Sequence, residues 1–157
     1  FDEALTEEDA DLDENEALER EKSLQQQVHK LGVAAKVVLA YRANKETRSI
    51  LLRDSNKTVV RAVLNSGKIS EGEAVQLTKN RTIDSEVLVS IFSNRDLSKR
   101  YEIKVNLASN PKTPQAIAMR LVRELRLYDL KALAKNRNVA VAVSNSAKII
   151  AGRKKVI

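Results

Sequence analysis

LTKNRTIDSEV (Leu77 to Val87), LASNPKTPQAI (Leu107 to Ile117) and LAKNRNVAVAV (Leu133 to Val143) are one pattern written three times. Each reads Leu, two residues, Asn, then Arg or Pro, with a β-branched residue three positions after the Asn and an apolar residue four further on. The asparagines stand at 80, 110 and 136, so the copies start 30 and 26 residues apart. Self-similarity at a period of 20–50 residues is the mark of a repeat array. Such arrays build extended binding surfaces rather than catalytic pockets.

The residues within each copy read as a joint between helices. The Leu closes one helix against the core. The Asn, which tolerates the left-handed conformation and bonds nearby backbone, stops that helix and starts the next. Ile83 and Val139 read as staples of the turn, and Thr113 as a direct cap. Weaker echoes lie at Leu52–Asn56–Val59 and Phe92–Asn94–Leu97.

Outward from the copies, the spacing is helical throughout. Ser23 reads as an N-cap and Gly32 as a stop or bend. Val33 to Ala43 reads as buried. Val59, Val60, Val63 and Leu64 make one helix face, and Asn65-Ser66-Gly67 is a turn. Ser70 with Glu73 is a capping box. Asp84 caps the helix carrying Val87, Leu88, Ile91 and Phe92. Tyr101 to Ala108 alternates with period two, but a lone strand has no partner, so helix is the better reading. Thr113-Pro114 opens a helix running through Leu125. Leu127 to Ala134 and Val139 to Ala151 close the series. The expected fold is all-α, about eight to ten short helices with short connections.

Composition narrows the function. Cysteine is absent, which removes disulfides, thiol chemistry and zinc or iron–sulfur ligation by thiolate. The one histidine, His29, reads as a surface or core-edge residue, because a lone His without Cys makes no ordinary zinc site. Four glycines supply no phosphate loop, and no Ser sits in G-x-S-x-G. No catalytic residue, metal or cofactor is expected. No apolar run approaches the roughly 20 residues that cross a bilayer, and the expected location is the cytoplasm. A start at Phe1 reads as a piece of a longer protein with a domain upstream.

Charge is divided. Residues 1–22 hold 11 acids and 2 bases; the remainder holds 10 acids and 26 bases. Residues 1–22 therefore read as an acidic linker or tail, flexible or helical, able to cover a basic body of 23–157. Basic residues accompany the Asn turns: Lys79 and Arg81, Arg95, Lys135 and Arg137, with Arg100 close by. These six are the candidate partner-binding residues, a positive edge spaced by the repeat. Arg120, Arg123 and Arg126 read as a second stripe on one helix.

The phrases LTKNRTIDSEVL, LASNPKTPQAIA and LAKNRNVAVAV resemble the leucine-rich repeat variant, a bacterial relative of HEAT-like helical repeats, over roughly residues 45–150. The resemblance implies a right-handed superhelix of paired helices and a non-enzymatic binding role. The cysteine cluster some members carry for iron–sulfur binding has no counterpart here. A protein-interaction scaffold binding a partner protein is the leading expectation. The alternative is a nucleic-acid-binding repeat whose acidic arm modulates binding, although aromatics for base stacking are few.

Overall fold

The computed structural model describes residues 1–8 and 11–156, with the side chains of residues 155 and 156 outside that description. Among the described residues there are twelve helices and no strand. The excess over eight to ten comes largely from two four-residue helices, one at each of two capped turns. The chain forms two compact units, Phe1–Ile69 and Ser70–Ile157.

The first unit holds α1 (Glu3–Thr6), α2 (Glu14–His29), α3 (Val33–Ala40), α4 (Lys45–Leu51) and α5 (Lys57–Asn65). Residues 1–22 contain ordered helix. Asp2 caps α1, and Asp13 with Glu16 forms a capping box at the start of α2. Acidic residues in a first helical turn also complement the positive end of the helix dipole. Ser23 lies inside α2 and caps nothing; its Oγ accepts from Gln27. Asp9, part of the acidic segment, lies outside the described residues.

Leu5 is buried in this unit, and Asn44 holds its helix in place. The Asn44 side chain, 1% exposed, donates from Nδ2 to the carbonyls of Ala4 (2.9 Å) and Glu7 (2.8 Å). Its Oδ1 accepts from the N–H of Thr47 and caps α4. Burial of Leu24, Leu39, Leu51, Val59 and Val63 builds the core, each worth about 1.5–3 kcal/mol relative to exposure. Val33 and Val38, expected inside, are exposed. Gly32 is the N-cap of α3 rather than a helix stop. Lys36 Nζ meets Asp54 Oδ2 at 2.7 Å and ties α3 to the segment after α4. Gly67 holds φ 69° in the turn after α5, the left-handed region that a Cβ disfavours.

The second unit holds α6 (Glu71–Lys79), α7 (Ser85–Ser93), α8 (Arg95–Ser98), α9 (Tyr101–Ser109), α10 (Gln115–Val122), α11 (Leu127–Ala134) and α12 (Val141–Val156). Ser70 and Glu73 form the expected capping box, and Asp84 caps α7. α9 packs against α6, α10 and α11, and α12 packs against α10 and α11. The core runs through Leu88, Ile91, Ile103, Leu107, Leu125, Leu130 and Leu133.

Further expectations fail here. Thr113 does not cap: α10 begins after Pro114, and Thr113 Oγ1 is buried without a hydrogen-bond partner. α10 ends at Val122 rather than Leu125. A turn closes through Glu124 N–H to Leu121 O and Leu125 N–H to Val122 O, so Arg120, Arg123 and Arg126 do not share one helix. No non-Gly residue has positive φ among the described residues, so the repeat asparagines are not left-handed.

Candidate functional site

The three repeat asparagines share one kind of side-chain bond, and Asn80 and Asn110 are both extended in the backbone. Oδ1 of Asn80, Asn110 and Asn136 accepts from the N–H two residues on, at Thr82 (2.9 Å), Lys112 (2.9 Å) and Asn138 (2.8 Å). This is an Asx turn, the side chain imitating a backbone turn. Asn56 and Asn94 do the same for Thr58 and Asp96, which accounts for the weaker echoes. Asn110 goes further. Its Nδ2 donates to Thr78 O at 2.8 Å and Asn80 O at 3.0 Å, joining the end of α9 to the end of α6. Asn106 adds a bond to Thr78 Oγ1 at 3.2 Å. The Leu-x-x-Asn element is therefore a turn device in all three copies, and at Asn110 also a joint between α9 and α6.

Four of the six candidate residues flank Asn80 or Asn136; Arg95 follows Asn94, and Arg100 precedes α9. Lys79 is the last residue of α6, and its ammonium lies 3.7 Å from Glu102 of α9. Arg100 precedes α9, and its guanidinium lies 3.1 Å from Glu71 of α6. These two cations sit opposite carboxylates and clamp α6 to α9. Both pairs are about half exposed, so their energetic worth is small. Arg81 and Arg137 stand exposed in the turns after α6 and α11.

Arg95, at the start of α8, is brought together with charges not among the six. A cleft of about 410 Å³ is lined by Phe92, Arg95, Lys99, Lys104, Arg120 and Glu124, among others. The Arg120 guanidinium lies 5.8 Å from the centre of the Phe92 ring, within cation–π range. Lys104 is paired with Glu124 at 2.9 Å. Lys99 lies 3.9 Å from Asp96, both strongly exposed.

Lys135 belongs to a different cleft. It caps the end of α11. With Lys131, Ala134, Lys148, Ala151 and Gly152 it lines a groove of about 690 Å³ between α11 and α12. The single positive edge expected from the repeat thus resolves into two basic clefts and two clamps within this unit. Arg120 reads in the sequence as part of a separate helical stripe, not of the turn edge; its convergence with Arg95 and Lys99 depends on the packing of α8 against α9 and of α9 against α10.

Elsewhere, His29 is exposed and lines a shallow cleft with Lys36, Arg53 and Asp54. Among the described residues, no group of three or more His, Asp or Glu is placed to hold a metal. Among them too, no helix is long and apolar enough to cross a membrane. No family model, curated protein or solved structure matches this chain.

Proposed function

We propose that the chain is a non-enzymatic protein-interaction scaffold that receives an anionic partner on the basic surfaces of its second unit. One observation carries this reading: Arg95, Lys99 and Arg120 converge on one cleft beside an aromatic ring. Arg with aromatic neighbours is the composition of binding hot spots. The hydrogen-bonded asparagine joints support reading the unit as a helical-repeat array of the leucine-rich-repeat-variant or HEAT-like kind. Its helices act as a rigid frame on which the charges are displayed.

Affinity capture with wild-type chain and with the Arg95→Glu, Arg120→Glu double variant tests the reading. A protein recovered by the wild type at moderate salt, resistant to nuclease and lost from the variant, is the expected result. Nuclease-sensitive capture with a steep salt dependence would instead identify a nucleic-acid-binding repeat.

A further inference from the structure

The α11–α12 groove combines three features that the fold itself does not require. The first is unbalanced charge. Lys131 of α11, Lys135 at its C-cap and Lys148 of α12 line the groove together. The groove lining as described contains no carboxylate. From residue 130 to the end of the sequence there are seven Lys or Arg and not one Asp or Glu. The nearest preceding acid, Asp129, is hydrogen-bonded to Tyr101.

The second feature is the floor. Ala134, Ala151 and Gly152 present nothing larger than a methyl group between the lysines. Gly152 lies inside α12, where glycine is the poorest helix former after proline. A Cβ built on it meets nothing within 4 Å, so no contact of this chain demands glycine there. Its φ is not in the left-handed region either. Gly152 is exposed, and its missing side chain leaves that part of the groove lining open.

The third is Tyr128. It is 83% exposed and sits three residues before Lys131 and seven before Lys135, hence on their side of α11. Exposed tyrosine beside a groove supplies a large contact area at low entropic cost.

We propose that this groove seats an acidic amphipathic peptide segment of a partner protein. The segment's small or aliphatic side chains lie on Ala134, Ala151 and Gly152, and its carboxylates meet Lys131, Lys135 and Lys148. The proposal rests on the scaffold reading and names the chemistry of its partner. An apolar floor inside a lysine rim favours a peptide over nucleic acid, whose sugar-phosphate backbone would leave the floor unsatisfied and whose single-strand recognition uses several stacking aromatics.

The test uses the full chain and a labelled synthetic helical peptide with leucine and alanine on one face and glutamate on the other. Controls are the same peptide with lysine for glutamate, and a single-stranded oligonucleotide. Expected are saturable binding of the glutamate peptide and shifts of the backbone amide resonances of Lys131 to Lys135 and Lys148 to Gly152. The Lys131→Glu, Lys135→Glu, Lys148→Glu variant should weaken binding at least about tenfold. Gly152→Phe, which fills the floor while keeping the helix, should weaken it comparably. Equal binding by the charge-reversed variant, shifts confined to other residues, preference for the oligonucleotide, or no binding overturns the proposal. None of these outcomes bears on the Arg95–Arg120 cleft, which capture with its own double variant tests separately.

Discussion

The phenol of Tyr101 donates to Asp129 Oδ2 at 2.5 Å and accepts from the N–H of Arg126 at 2.8 Å. The Arg126 guanidinium lies over the same ring at 4.2 Å. One side chain of α9 thus holds both the N-cap residue and the first turn of α11, the helix that forms one wall of the lysine-rimmed groove. Burial, followed by the bond to Asp129, raises the Tyr101 phenol above the ordinary tyrosine range.

Tyr101→Phe should lower stability by about 1–2 kcal/mol in chemical denaturation at neutral pH, since it removes one bond to a charged group and one acceptor. A raised folded pKa means that the contribution is complete below the unfolded value, near pH 10. It is lost as pH rises through the folded value. The gap between wild type and Tyr101→Phe should therefore narrow above about pH 10, and a constant gap would refute the assignment.

Asp54 has the opposite sign. Burial pushes its carboxyl up, but hydrogen bonds from Lys36 and from the Asn56 N–H, with the Lys36 charge, outweigh burial and hold it below the usual range. Asp54→Asn should cost about 2 kcal/mol at pH 7. The depressed pKa makes the contribution full above the unfolded value and lost as pH falls through the folded one. The difference from wild type should shrink on acidification below about pH 4.

Asn110 and Asn136 occupy equivalent places in the sequence pattern but unequal places in the fold. Asn110 is 4% exposed and donates to two carbonyls of the preceding hairpin. Asn110→Asp keeps the Asx turn and sets a carboxylate oxygen against Thr78 O and Asn80 O. The expected loss is about 2–4 kcal/mol in urea unfolding. Asn136→Asp retains its turn bond and should change stability by less than about 0.5 kcal/mol. Equal effects at both positions would remove the joint from the account.

Thr113 offers a sharp contrast between sequence and structure. If its hydroxyl capped α10, Thr113→Val would cost about 1 kcal/mol. The hydroxyl is instead buried and unbonded, and Thr113 is 8% exposed. Thr113→Val, which replaces that hydroxyl by a methyl of similar size, should be neutral or raise Tm, because burying an unpaired hydroxyl is unfavourable.

Local signals in the sequence were read well where the chemistry is local. The Ser70–Glu73 capping box and the Asp84 cap each depend on residues within one turn of one another. Sequence and structure part where another element decides. Ser23 has cap chemistry but is overridden by the Asp13–Glu16 box ten residues earlier. Asn44 departs from the Leu-x-x-Asn spacing, so its double bond to the α1 segment has no sequence signature. The three arginines at 120, 123 and 126 keep helical spacing, yet α10 stops at Val122 and Arg126 turns back onto Tyr101. Charge position along the chain was legible; which carboxylate each cation faces was not, because Lys79–Glu102 and Arg100–Glu71 are made by the packing of α6 on α9.

Pro111 directly follows Asn110, and that order bears on how the protein ages. Spontaneous deamidation turns asparagine into aspartate by attack of the next backbone nitrogen on the side-chain amide. A proline nitrogen carries no hydrogen to lose, so this route is closed at Asn110. The residue whose conversion would set a negative charge against two carbonyls is the one among the three repeat asparagines shielded from that conversion. Asn80 and Asn136, each followed by an arginine, have no such shield. Among the three repeat asparagines, mass increments from this chemistry belong at Asn80 and Asn136 and not at Asn110.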